Sequence, residues 1–142
     1  MERRDIFKEE IERFGRALGK IISEFFTLKD KGKTSLAIEV TNQQLKTQLD
    51  IDMNILSTLE PGELESYLSE KNLPVEYTDV LVDYLIALAD HENNPHHAIS
   101  LYESTLHLYA RATRYSKIYP FERNTKEHHV RQKLNELYQR KD

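Results

Sequence analysis

Six histidines are the first residues whose chemistry could decide what this chain does. His91, His96 and His97 flank the Asn93-Asn94-Pro95 turn beside Asp90 and Glu92; His128 and His129 follow Glu127; His107 stands alone. A metal site on a helix typically uses two imidazoles four residues apart plus a third donor on the same face. No pair here has that spacing, and adjacent histidines on a helix point in different directions. A centre would need the turn histidines to meet His128 or His129 across the fold. A metal-dependent enzyme built on them is therefore kept as an alternative, and the main expectation is surface histidines with no metal and no cofactor.

Asp79 and Asp83 lie four apart and share a helix face, with Asp90 and Glu92 beyond them. Paired carboxylates can hold a divalent cation or move a proton. No Glu-x-x-His pair accompanies them, as a di-iron bundle requires, so a solvated acidic face is the expectation. Asp50-Ile51-Asp52-Met53-Asn54 starts like a calcium loop, but Ile55 stands where that loop needs glycine and its twelfth position is not Glu. There is no glycine-rich phosphate loop, no Gly-x-Ser-x-Gly and no kinase set. The chain has no cysteine, which excludes disulfides, thiolate nucleophiles and cysteine-bound metals.

A third group interleaves bases and aromatics. Tyr109, Arg111, Arg114, Tyr115 and Lys117 crowd the end of one helix, Tyr119 and Arg123 follow, and Tyr102 lies two turns earlier. Such a strip can bind phosphates, stack single-stranded bases or anchor a protein partner. It equally suits cations at the negative end of a helix dipole. Tyr102, Tyr109, Arg111, Arg114, Tyr115 and Lys117 are the candidate ligand or partner surface.

The elements that must position these groups read as helices. Phe7, Ile11, Phe14, Leu18, Ile21, Phe25 and Leu28 follow at alternating steps of four and three, an unbroken apolar seam over residues 5–28. Beside it lies a second strip, Gly15, Gly19, Ile22 and Phe26. Glycine inside a helix costs roughly 1 kcal/mol against alanine, so two of them four apart suggest that another backbone comes close. Phe7, Phe14, Gly15, Leu18, Gly19, Ile22 and Phe26 are the candidate self-association residues. Gly32 ends this helix, and Thr34 or Ser35 caps the next, with Leu36 or Ala37, Val40, Leu45 and Leu49 inward. A short helix or turn over 50–56 precedes one that starts at Pro61 and buries Leu64, Tyr67 and Leu68. The next runs over about 75–89, with Tyr77 or Thr78, Leu81, Val82, Leu85, Leu88 and Ala89 inside. Asn94 and Pro95 open a long helix to Tyr115, with Ala98, Leu101, Tyr102, Thr105, Leu106, Tyr109 and Ala112 inward. Asn124 or Thr125 caps the last, with Val130, Leu134 and Leu137 on its apolar side.

With 142 residues and only four Gly and four Pro, the chain is sized for one domain of a few long helices, spanning 1–142. Net charge is −4 but unevenly spread. Residues 1–49 hold ten basic and eight acidic side chains, residues 50–110 one against twelve, and residues 111–142 nine against four. These blocks can satisfy one another within the fold or between subunits, which suits an acidic chain better than nucleic acid does. Without cysteine, an apolar leader core or a spanning-length apolar run, the expected setting is cytoplasmic, with no membrane partner.

Val82, Leu85 and Ala89, followed by Ala98 and Tyr102, resemble a tetratricopeptide helical hairpin over about residues 78–115. In that family a large and a small residue recur on the first helix, and a small residue and an aromatic on the second. This chain departs at Ile86, where the family prefers glycine, and at Ala110, where it prefers proline. The layout also resembles small uncharacterised bacterial helical proteins, a likeness that implies no activity. The expectation is an all-α array of six or seven helices that is not an enzyme and acts as an interaction or scaffold protein. It would associate with itself or a protein partner, with an RNA- or phosphate-binding module as the alternative.

Overall fold

The first helix, α1 (Arg3–Asp30), carries the seam and sets the layout. It ends in a hydrogen-bonded cap: Gly32 adopts φ +78° and donates to the Lys29 carbonyl, and the Lys33 N–H reaches back to that of Leu28. The chain reverses into α2 (Thr34–Leu49), whose preceding residue, Lys33, makes no side-chain cap. Then follow α3 (Met53–Leu56), α4 (Pro61–Glu70), α5 (Thr78–His91), α6 (Pro95–Tyr115) and α7 (Phe121–Arg140). The computed structural model describes residues 3–71, 73, 77–115 and 121–140, among which there is no strand. Among the described residues the protein is all-α, with seven helices.

Local chemistry places the boundaries. The Asp52 side chain caps α3 by accepting from the Asn54 N–H at 2.9 Å. Asn94 caps α6 by accepting from the His96 N–H at 3.0 Å. Two differences from expectation stand out. The last helix starts at Phe121, not at Asn124 or Thr125, which puts Arg123 inside it. The inward face of α2 is Ala37, Thr41, Leu45 and Leu49, a strict four-residue step that leaves Leu36 exposed and Val40 half-exposed.

α1 and α2 form an antiparallel hairpin, and α5, α6 and α7 a second, three-helix layer. They meet where α1 packs on α5. Leu18, Ile21, Ile22 and Phe25 are buried there with Leu81, Tyr84, Leu85 and Leu88. The Tyr67 hydroxyl on α4 accepts from the Asp52 N–H at 2.8 Å, and the Ser100 hydroxyl on α6 donates to the Ser57 carbonyl, fixing α3 to both neighbours. At 1.5 Å per residue α1 is about 42 Å long and α2 about 24 Å, so the first part of α1 overshoots its hairpin partner by about 18 Å.

The two glycines of α1 differ. A β-carbon on Gly15 would lie 2.0 Å from Cζ of Tyr77, so that ring occupies the space a side chain would need. A β-carbon on Gly19 would meet nothing within 4 Å among the described residues. Gly19→Ala is therefore expected to raise stability by about 1 kcal/mol, the gain in helix propensity. Gly15→Ala should show no such gain, and should recover it in a Tyr77→Ala background. Urea denaturation of the four variants checks this; an equal gain at both glycines in the native background would contradict it.

Candidate functional site

The candidate self-association residues divide along α1. Leu18 and Ile22 are buried by their own chain, and Gly15 lies beneath Tyr77. Phe14, Gly19 and Phe26 keep partial exposure, and the Phe7 side chain falls outside the described residues. Phe26 packs edge-on against Phe25 at 5.1 Å, with the Lys29 ammonium 5.7 Å from its ring. Around Phe14 two adjoining depressions of about 370 and 300 Å³ run between the first half of α1 and the C-terminal end of α2. They share Glu10, Phe14, Gln48 and Leu49; Ile11, Asp50 and Lys71 line the first, Arg13 and Ala17 the second. This groove exists because α1 continues past the end of α2 with its apolar seam intact.

The basic and aromatic strip does not form one surface. Tyr102 and Tyr109 are core residues of α6, and Arg111 is only 7% exposed. Tyr102 donates to the Asp90 carboxylate. Burial pushes its phenol up from the ordinary value, and Asp90 and Glu136 act in the same direction. Arg111 donates to the Leu73 carbonyl at 3.1 Å and the Thr78 hydroxyl at 3.3 Å. Arg114 faces solvent and lays one nitrogen across both oxygens of Glu65, at 3.1 and 3.2 Å. Lys117 and the Tyr115 side chain lie outside the described residues. A step of three residues falls short of a full helical turn, so the line from Arg111 to Arg114 passes from the core edge to water.

The acidic face of α5 is engaged by α7. Arg123 grips Asp79 with two bonds, Nε to Oδ1 at 3.1 Å and Nη2 to Oδ2 at 2.7 Å. Lys126 pairs with Asp83, and His129 Nε2 lies 3.5 Å from Asp90. The partners rise together along both helices, so α5 and α7 run in the same sense with α6 antiparallel to them. Asp79 and Asp83 are thus partners in a ladder, where a solvated face was expected. The signal was present in the sequence as the opposed charge of residues 50–110 and 111–142.

His91, His96, His97, His128 and His129 are exposed, and His97 Nδ1 lies 3.5 Å from Glu92. Among the described residues no three His, Asp or Glu side chains converge as metal ligands, and no helix is long and apolar enough to cross a membrane. No protein-family model, curated protein or solved structure matches the chain.

The rungs of the ladder differ in environment. The difference lies in the cations: Asp79 and Asp83 are similarly exposed, at 44% and 37%, but the Arg123 guanidinium is buried and the Lys126 side chain is 40% exposed. Removing one member of a two-bond pair with a buried cation costs about 2–3 kcal/mol, while an exposed pair contributes under about 1 kcal/mol. Asp79→Ala should accordingly lower the unfolding free energy at least twice as much as Asp83→Ala. Chemical denaturation at neutral pH checks the ratio; equal losses would contradict the unequal rungs.

Proposed function

We propose that this protein is a non-enzymatic interaction or scaffold protein that self-associates through the first half of α1. One observation carries the reading. The apolar seam of α1 continues beyond α2, and there Ile11, Phe14 and Ala17 stay partly exposed beside the 370 and 300 Å³ depressions at Leu49. A groove with Ile11, Phe14, Ala17 and Leu49 inside and Glu10, Arg13, Gln48, Asp50, Glu70 and Lys71 around it combines the apolar centre and polar rim of a protein interaction site. Glu10 and Arg13 on that edge supply opposite charges, so a second copy of the same helix running antiparallel can set Glu10 of one chain near Arg13 of the other. Such a contact is self-complementary, as a two-fold dimer requires.

The tetratricopeptide-like reading of α5 and α6 joins this proposal. Ala89 on α5 and Ala98 and Tyr102 on α6 are all buried, which supports small residues at the close approach of the two arms. The absence of cysteine is compatible with a cytoplasmic setting.

Light scattering coupled to size exclusion tests the reading. The native protein should shift from monomer to dimer with concentration. Ile11→Glu, placed on a half-exposed groove residue, should remain monomeric with unchanged helical content. A native protein that stays monomeric at its highest soluble concentration would overturn the proposal.

A further inference from the structure

The groove of α1 is unequal in charge along its length. Its first depression is lined by Glu10, Asp50 and Glu70 against one cation, Lys71. Lys71 is already engaged: its ammonium donates to Asp50 Oδ2 at 2.7 Å and lies 5.3 Å from the Tyr67 ring. The left-handed turn that ends α2 fixes Asp50 at this corner, with φ 56° and its N–H bonded to the Lys46 carbonyl at 3.1 Å. Its side chain stays 83% exposed, and Glu10 and Glu70 are exposed beside it. Neither glutamate forms an ion pair among the described residues. Three carboxylates against one ammonium leave a surplus of two negative charges next to Ile11, Phe14 and Leu49.

The second depression holds the complementary group. Arg13 lines it, is exposed, and makes no ion pair among the described residues. Glu10 lines both depressions, so the acidic corner and the unpaired arginine lie on one surface, to either side of the same residue. A second copy brings both groups again, and symmetry decides how they meet. In a parallel two-fold pair each residue of α1 meets its own copy, which sets Arg13 against Arg13 and Glu10 against Glu10. In an antiparallel pair with the axis beside Ile11, each Arg13 meets Glu10 of the other chain, and both contacts form at once.

Resting on the self-association proposed above, we infer that the second copy seats its Arg13 in the corner formed by Glu10, Asp50 and Glu70. The exchange is made twice about the axis, fixes the antiparallel register and makes the dimer sensitive to salt. Arginine suits such a corner, because its planar fork presents five N–H donors that can serve more than one carboxylate. With Arg13 added, three carboxylates face two cations, so Lys71 brings the corner close to balance. Closing the two helices over Ile11 and Phe14 draws the cluster out of bulk water, where each pair weighs more than an exposed one. The like-charge contacts of the parallel arrangement count against it, which is how charge selects a register.

Charge exchange between two variants, read by light scattering, tests the corner. Arg13→Glu sets a carboxylate against the acidic corner and should weaken the dimer at least about tenfold. A double variant, Glu10→Lys with Glu70→Lys, sets Arg13 against a basic corner and should do the same. Mixed in equal amounts, the two should form a heterodimer of near-native affinity. One chain then keeps the acidic corner, the other keeps Arg13, and the reversed groups meet at the second corner. All three side chains are exposed, so both variants should keep native helical content by circular dichroism. The native dimer should weaken about tenfold as NaCl rises from about 0.1 M to about 1 M. Folded variants that each dimerise as tightly as the native chain, or that stay monomeric when mixed, would overturn the charge exchange. A native dimer that Ile11→Glu still abolishes would in that case leave self-association through the apolar groove standing. A native protein that stays monomeric at its highest soluble concentration would overturn both, and would assign the groove to a different partner.

Discussion

Tyr84 is the side chain on which the two layers depend. Its ring is fully buried and meets Phe25 of α1 edge-on, with centroids 4.8 Å apart and planes at 83°. Its hydroxyl donates to Asn42 Oδ1 of α2 at 2.6 Å, with the Ile38 carbonyl at 3.4 Å. One residue of α5 thus reaches both helices of the first hairpin. An edge-to-face pair contributes about 0.5–1.5 kcal/mol beyond the area it buries, and a buried hydroxyl is costly unless it is bonded. Burial pushes the phenol up from its ordinary value, so the group stays protonated and stays a donor across the neutral range.

The division of α1 follows from that anchor. Residues between Leu18 and Phe25 are held against α5, and Ile11, Phe14 and Gly15 before them lie beside the end of α2, Glu70, Lys71 and the Tyr77 ring. α5 is divided in the same way. It buries Leu81, Val82, Tyr84, Leu85, Leu88 and Ala89, while Asp79, Asp83 and Asp90 on its remaining edge take Arg123, Lys126 and His129 of α7. Apolar packing therefore joins α5 to α1, and charge joins it to α7. The groove of α1 lies outside these joints.

What could be read from the sequence was what is local. The α1 seam, the Gly32 stop, the Asn94 cap with Pro95 after it and the Pro61 start all depend on residues within a turn or two, and the structure has each of them. What escaped was set by partners some forty residues away. Tyr84 was passed over because a tyrosine on an apolar helix reads as its polar edge until Asn42 is found opposite its hydroxyl. Thr41 sits in the core because the buried four-residue step of α2, Ala37, Thr41, Leu45 and Leu49, includes it and excludes Val40. Gly15 announced a close approach, but the visitor within the chain is the Tyr77 ring. Arg111 was picked out by its spacing with Arg114 and Lys117, and the same spacing concealed that it turns inward. The acidic middle and basic end of the chain did announce the α5–α7 ladder, though not its rungs.

The claim that α1 is anchored in its second half and free to take a partner in its first is tested most directly by amide hydrogen exchange along that helix at low and high protein concentration. The account predicts that amides from Leu18 to Phe25 exchange only through global unfolding at both concentrations. Those from Ile11 to Phe14 should exchange faster in dilute protein and slow by about tenfold or more when concentrated. Uniform protection along α1 at both concentrations, or exchange at Leu18–Phe25 as fast as at Ile11–Phe14, would contradict it.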